Sequence, residues 1–575
     1  MEQIRLLTTL LLVLISAVTG GVLAKKARQP ALVGYIGAGV LFGRIFPQFT
    51  DEKLLTLIAD SGVTLLLFTL GVEFSFHRLR QLLGNLFWVA TTQIVVVLFV
   101  FLVGLVFAGF PFLGALFIAA AAAISSTAVV VRLLSERGEL ETVPGDVATA
   151  WLVIQDLAVV PMMILLPTMV SVSGGAAPTL TGTAGIIVLS LVKSVFAIAA
   201  ILYLGRIGVP RLLNRVAAIG NREVFLLATI GLVFLSAVTF YSVGLSAPLG
   251  AFVAGLLVAD TSQNHEIFAE VRPLRDLFAV VFFVSVGMVL PVSYVMRQWP
   301  MLVTLTLVLV IVKLFFVYGL TRFAGFHRKT AFLVAVFLLP MSEFGFIIAR
   351  EGVRLGALGP DHYALLVALV FLTILIGAPM ISAGQAMYYW VYHTLGGRWP
   401  KIFPVGPEQV TPGRDELSLE GHIVICGFGR VGRYIGRALE MAGIPFVVVD
   451  YNQTTVTSLK NRGTPVVYGD PADKEVLDYA QVDRAKAIII AIPDRHTQEM
   501  IIAHAQTLNR RIKIICRSHH EEDQRHLKSL GVATVVQPEF EAAIAIVTRV
   551  LGDFGVAPED ISGKISRLKI EHGLG

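Results

Sequence analysis

Thr149-Ala150-Trp151-Leu152-Val153-Ile154-Gln155-Asp156-Leu157-Ala158-Val159-Val160-Pro161 puts one carboxylate near the middle of an apolar run long enough to cross a bilayer, with no cation in the run to neutralise it. An ionised side chain at the membrane midplane costs about 3 kcal/mol or more, so Asp156 is read as part of a substrate or ion pathway facing a wet cavity. The bland reading is an Asp kept protonated and bonded to a neighbouring helix. The adjacent Gln155 adds a neutral oxygen and two donors, and only Asp156 can ionise. An empty site would therefore carry a single negative charge.

The rest of the chain suits that reading. Of 575 residues, 55% are hydrophobic and 15% charged, far more apolar than a soluble protein of this size. The formal charge of +6 does not mark a nucleic-acid binder, because the basic residues of the apolar part cluster in loops between spans. The two cysteines, Cys426 and Cys516, each end an apolar run in the polar C-terminal part and read as core residues of strands, not as a disulfide framework.

Hydropathy predicts about thirteen spans between residues 4 and 392, each near the length that crosses the hydrocarbon. Among them are 112–133, 146–170, 184–204, 274–290, 330–350 and 362–392. Two spans are not clean helices. Ala123-Ile124-Ser125-Ser126-Thr127-Ala128 places three hydroxyls inside 112–133, and Leu339-Pro340-Met341-Ser342-Glu343-Phe344-Gly345 puts a Pro, a Glu and a Gly inside 330–350. In transporters, helices interrupted at corresponding places in two inverted repeats meet near the midplane and line the ion site. Glu343 and Lys313 are two further charges deep in spans, expected to pair with each other or to modulate Asp156.

Orientation follows from Lys and Arg in short loops. One alternate set holds Lys25, Lys26, Arg28, Arg78, Arg80, Arg137, Arg206, Arg211, Arg215, Arg222, Arg272, Arg275, Arg322, Arg328 and Lys329; the other holds little beyond Arg44, Lys53, Arg297, Arg350 and Arg354. The positive-inside rule makes the first set cytoplasmic, with a periplasmic N-terminus and a cytoplasmic C-terminal domain.

The pattern changes near residue 396. We read 1–395 as the membrane domain, 396–420 as a Pro- and Gly-bearing linker, 421–555 as a soluble domain and 556–575 as a tail. His422-Ile423-Val424-Ile425-Cys426 is a short strand leading into Gly427-Phe428-Gly429-Arg430-Val431-Gly432 and a helix, and the next strand ends at Asp450. Strand, glycines, helix, strand and terminal acid together predict a nucleotide-binding turn, with the acid on a ribose hydroxyl. Further βα units through Asp470, Ala491, Arg517 and Val536 make a Rossmann-like α/β fold with a doubly wound parallel sheet.

The whole chain resembles a Kef-type monovalent cation:proton antiporter of the second cation:proton antiporter family, fused to a TrkA-N (regulator of potassium conductance) domain. The resemblance rests on Thr64 to Glu73, Ser125-Ser126-Thr127-Ala128, Gln155-Asp156, Phe282-Phe283-Val284-Ser285-Val286-Gly287-Met288, Ser342-Glu343-Phe344 and the glycine turn. It implies exchange of a monovalent cation, K+ foremost, for H+ across a bacterial inner membrane, by a lipid-embedded homodimer with crossed broken helices. It implies ion binding by Asp156 with Gln155, Ser125, Ser126 and Thr127, and no metal beyond the transported cation. It also implies an adenine nucleotide, AMP or NAD(H), contacted by Gly427, Gly429, Arg430, Gly432, Asp450, Asp470 and Arg517. The loop Asn264 to Pro273, with Glu266 and Glu270, is similar to the acidic regulatory loop of the family that contacts the nucleotide domain. The resemblance also implies glutathione or an ancillary cytoplasmic subunit as a partner. Phe268 and Arg272 stand where acids are expected, a departure that bears on glutathione control.

Other classes fit less well. A potassium channel gated by the same domain would need a filter of backbone carbonyls, and no Thr-Val-Gly-Tyr-Gly-like run occurs. A membrane oxidoreductase would need an acceptor site or second cofactor, for which no ligand spacing is seen, so the chain is read as a transporter and not an enzyme. A Na+/H+ antiporter of the same architecture remains open.

Overall fold

A computed structural model describes residues 2–27, 29–46, 52–73, 85–140, 142–173, 208–242, 247–259, 263–290, 292–396, 420–518 and 521–571, together with 203, 205, 206 and 261. The span expected at 184–204 falls almost wholly outside these residues, as does the linker. The chain divides into two compact units. The first comprises Met1–Val131, Val147–Leu320 and Val334–Ser382; the second comprises Arg132–Asp146, Thr321–Leu333 and Ala383–Gly575.

Among the described residues, the regular elements of the N-terminal part are helices. Its elements are α1 (Glu2–Lys26), α2 (Ala31–Ile45), α3 (Glu52–Glu73), α4 (Asn85–Phe107), α5 (Phe112–Ala123), α6 (Thr127–Glu136), α7 (Val143–Ser173), α8 (Arg222–Ser242), α9 (Ala247–Ala259) and α10 (Asn264–Val289). There follow α11 (Val292–Arg297), α12 (Trp299–Phe323), α13 (Arg328–Phe337), α14 (Phe344–Arg354), α15 (Pro360–Ser382) and α16 (Gly384–Gly396). Among the described residues, stretches of α1, α4, α7, α8, α12 and α15 are long and apolar enough to cross a bilayer.

The expected spans differ from these helices in informative places. The stretch 264–273, read as a loop, forms the first turns of α10, because Ile267 and Val271 lie one turn apart and are both buried against Leu213, Phe225 and Phe68. The stretch 362–392 divides into α15 and α16. The two irregular spans break where their sequences suggested. Pro340 has no amide hydrogen and disfavours helix in the residue before it, so α13 stops short of it and α14 restarts after Glu343.

Close helix packing in this unit depends on small residues. Gly39 and Gly287 face each other's helices, and a Cβ on Gly287 would press into the carbonyl oxygen of Ile36, while one on Gly39 would press into that of Val284. Gly71 and Gly255 do the same for α3 and α9.

Among the described residues, the C-terminal α/β domain has six parallel strands: β1 (Ile423–Cys426), β2 (Phe446–Asp450), β3 (Val466–Tyr468), β4 (Ala487–Ile490), β5 (Lys513–Arg517) and β6 (Thr534–Val536). Their order is β3-β2-β1-β4-β5-β6, so the strand order reverses between β1 and β4. That is where such sheets open a crevice at their carboxyl ends. Helices α17 (Arg430–Met441), α18 (Gln453–Asn461), α19 (Lys474–Tyr479), α20 (Arg495–Leu508) and α21 (Glu521–Ser529) alternate with the strands. Helices α22 (Pro538–Asp553) and α23 (Pro558–Glu571) follow, so most of the expected tail is helical. Cys426 and Cys516 are buried free thiols, and burial pushes Cys516 up to about 12, which keeps it protonated and unreactive near neutrality.

Gly287→Val should overpack the α2–α10 contact. We expect a loss of about 1–3 kcal/mol, seen as a lower melting temperature in detergent, whereas Gly319→Ala, which meets open space within α12, should not lower it.

Candidate ion site and nucleotide pocket

The break in α5–α6 and the break in α13–α14 meet. Residue Ile124 is extended, and Ser125 and Met341 form an antiparallel bridge. The Ser126 amide donates to the Pro340 carbonyl at 3.1 Å, and the Ser342 amide donates to the Ile124 carbonyl at 3.3 Å. The Met341 amide donates to Thr373 Oγ1 at 3.2 Å. Backbone groups freed by breaking the helices are thus paired with one another, as lipid surroundings require.

Asp156 sits beside this crossing, buried, with its Oδ2 accepting from Thr127 Oγ1 at 2.7 Å. The three hydroxyls of the fifth span have separate duties. Thr127 reaches Asp156. Ser126 donates to Glu343 Oε2 at 2.7 Å. Ser125 donates to the Leu338 carbonyl at 2.7 Å. Gln155 fastens the crossing: its Oε1 accepts from the Ser125 amide at 2.9 Å, and its Nε2 donates to Gln93 Oε1 at 2.5 Å.

Lys313 and Glu343 do not pair with each other. Lys313 Nζ donates to the Ile124 carbonyl at 3.1 Å and to Ser125 Oγ at 3.0 Å, while Glu343 holds Ser126. Half-helix dipoles account for the arrangement. Ile124 caps the C-terminal, negative end of α5, where a cation is favoured, and Glu343 caps the N-terminal, positive end of α14, where an acid is favoured.

Gln93 was missed by the sequence reading. It is fully buried, donates to the Ala123 carbonyl at 3.1 Å and accepts from Trp151 Nε1 at 3.1 Å. A lone amide within an apolar span was the signal that could have found it.

The C-terminal α/β domain holds a cavity of about 370 Å³ at the reversal of strand order, lined by Gly427, Gly429, Arg430, Asp450, Asn452 and Arg517 among others. Gly427 has φ +89, a left-handed turn, and a Cβ on Gly432 would press into the Gly427 carbonyl, so α17 packs closely on the turn. The space where a Cβ on Gly429 would stand is open. The Asp450 carboxylate accepts from the Phe428 amide at 2.6 Å and the Asn452 amide at 2.8 Å. Burial pushes its carboxyl up, opposed by those amides and that of Tyr451, and by Arg433. Arg517 offers a buried Nε with no hydrogen-bond partner, and burial together with nearby Arg430 pulls its guanidinium down. Two cations and an open glycine turn favour an anion at that end. Gly138, Thr142 and Asp146 form a further wall, which the sequence reading did not assign to the pocket.

Other expected residues lie elsewhere. Asp470 is absent from the lining, where Pro471 stands instead; its carboxylate is 2.9 Å from Lys329 Nζ and accepts from Tyr389 Oη at 3.0 Å. Glu270 pairs with Arg222 at 2.6 Å, and Glu266 lies in the first turn of α10.

Two broken helices crossing beside a buried carboxylate, followed by a parallel sheet with an anion-favouring glycine turn, define a secondary ion exchanger carrying a ligand-binding domain. The chain belongs to the sodium/hydrogen exchanger family: residues 11–383 match its transmembrane domain and residues 423–538 match the TrkA-N domain. It is therefore a multi-pass antiporter, of a transporter family and not an enzyme family. It is 32% identical over 94% of its length, and 96% of the relative's, to the putative cation/proton antiporter YbaL of Escherichia coli (strain K12). It is 30% identical to the chloroplastic K(+) efflux antiporter 1 of Arabidopsis thaliana, covering 99% of this chain and 47% of that protein, so it spans about half the length of that relative. A solved AMP-bound Kef C-terminal domain of Shewanella denitrificans matches 27% of this chain and 92% of its own, at 24% identity and a TM-score of 0.24.

Gln93→Leu should strand the Trp151 N–H and the Gln155 amide in apolar surroundings, at a cost of about 1–3 kcal/mol. A fall in the melting temperature of detergent-solubilised protein checks this, with unchanged melting as the contrary result.

Proposed function

We propose that the protein exchanges K+ for H+ at Asp156, with the nucleotide domain tuning the rate. The observation that carries the reading is the Thr127 hydroxyl donating to a buried carboxylate at the crossing of two broken helices. A carboxylate so placed binds a proton or a monovalent cation in competition, with Thr127 holding it oriented in either state. Ser125, Ser126 and Gln155 support the crossing and could lend further oxygens. Glu343 and Lys313 neutralise the ends of the half-helices and so modulate the field at Asp156. One titrating carboxylate gives one cation against one proton. K+ is favoured by the names of relatives, which include K(+) efflux antiporters.

The pocket suits an adenine nucleotide, AMP or NAD(H), with phosphate on the glycine turn, Arg430 and Arg517, and ribose on Asp450. Charge distribution in the loops favours a bacterial inner-membrane protein with a periplasmic N-terminus and a cytoplasmic nucleotide domain, working as a homodimer.

Asp156→Asn keeps the shape of the side chain and removes its titration. Dye-reported, K+-driven proton flux in proteoliposomes should fall to that of empty vesicles, and the same assay with Na+ tests the alternative cation; normal flux in the variant sinks the assignment.

Asp450→Ala should weaken nucleotide binding by about 1.5–3 kcal/mol, the range of a hydrogen bond to a charged group. Exchange itself should persist. Calorimetric titration of the full-length protein with AMP, ATP and NADH decides, and equal affinities for variant and parent would rule out the ribose role.

A further inference from the structure

We propose that the nucleotide domain grips the adjoining ends of α6 and α13, one half of each broken helix, and that Lys329 and Arg137 are the positioning residues of the grip. The proposal rests on reading the pocket as a nucleotide site. Lys329, in the first turn of α13, is buried and lies 2.9 Å from Asp470 Oδ2, just after β3. It also donates to Tyr389 Oη at 2.6 Å and to Thr497 Oγ1 at 3.2 Å, in the first turn of α20, and stands 4.8 Å from the Tyr389 ring centroid. Arg137, next after α6, pairs with Glu139 at 2.8 Å and approaches Asp494 Oδ1 at 3.9 Å. Asp494 is the N-cap of α20, its Oδ2 accepting from the Thr497 amide at 2.7 Å. Both half-helix ends thus converge on the first turn of one helix.

The anchors adjoin the pocket. Asp470 precedes Pro471 and Asp494 follows Pro493, and both prolines line the cavity, as does Gly138, the residue after Arg137. A ligand that shifts these strand ends moves Asp470, bonded to Lys329, and Asp494, in ionic contact with Arg137, and so biases the half-helices that lead to Thr127 and to Pro340. A buried ion pair adds little to net stability, since desolvation offsets much of the attraction. What it does supply is a fixed register between the pieces it joins.

The test uses full-length protein in proteoliposomes, with AMP, ATP and NADH as probes. In the parent, saturating nucleotide should change K+-driven proton flux by about fivefold or more, a typical coupling between sites. Tyr389→Phe, Lys329→Met and Arg137→Met should each keep nucleotide affinity within about threefold while the flux response shrinks toward unity. Lys329→Arg, which keeps the charge, should restore part of the response. Amide hydrogen exchange gives a readout free of any nucleotide: Lys329→Met should speed exchange in the first turns of α13 and α20, and Arg137→Met in residues 137–140. A full response in Lys329→Met, or unchanged amide exchange in both variants, overturns the grip. If the parent binds no nucleotide, the pocket reading fails and amide exchange alone decides the grip.

Discussion

The crossing of two non-helical segments, 124–126 and 338–343, is the constraint on which the exchanger unit depends. A helix broken inside a bilayer leaves amides and carbonyls with no water to satisfy them, and each such group costs several kcal/mol. Here the breaks satisfy one another through Ser126 to Pro340 and Ser342 to Ile124. Neither break is tolerable alone, so the two halves of the fold must meet at this point. Asp156 then gains a hydroxyl donor, Thr127, that only a helix restarting at that residue could aim.

The charges around the crossing follow from the same geometry. Four half-helix ends in one place make alternating partial charges, and the chain answers with a cation on a C-terminal end and an acid on an N-terminal end. Lys313 is therefore better understood as the partner of Ile124 and Ser125 than as a counter-ion for Glu343. Gln93 ties Trp151, Gln155 and the last carbonyl of α5 into one network, which leaves Gln155 as much a fastener as a candidate ligand.

In the second unit, a sheet alone would present its crevice to solvent. Residues 132–146 and 321–333, distant in sequence from the strands, belong to this unit with them, and the first of these segments contributes Gly138, Thr142 and Asp146 to the pocket wall. The Lys329–Asp470 pair belongs to that packing, and it explains why an acid at a strand end, where ligand contacts cluster in such sheets, is occupied by a side chain instead.

By itself the sequence determined the class of fold, the two breaks and the glycine turn, and it singled out Asp156 as a buried charge within an apolar run. Each is a local signal: apolar length, a proline within a span, glycines after a strand, one charge with no neighbour to cancel it. The helical start of α10 is hidden in the sequence because Glu266, Glu270 and Arg272 interrupt an Ile267–Val271 stripe whose burial depends on Phe68 and Phe225, far away in the chain. Tertiary structure alone decided how the polar groups were shared out. Lys313, Glu343, Gln93 and Asp470 each have a partner between 30 and 217 residues away. Hydrogen bonds act over about 3 Å of space and leave no periodic trace in the chain, so which acid meets which donor is settled only when the helices cross.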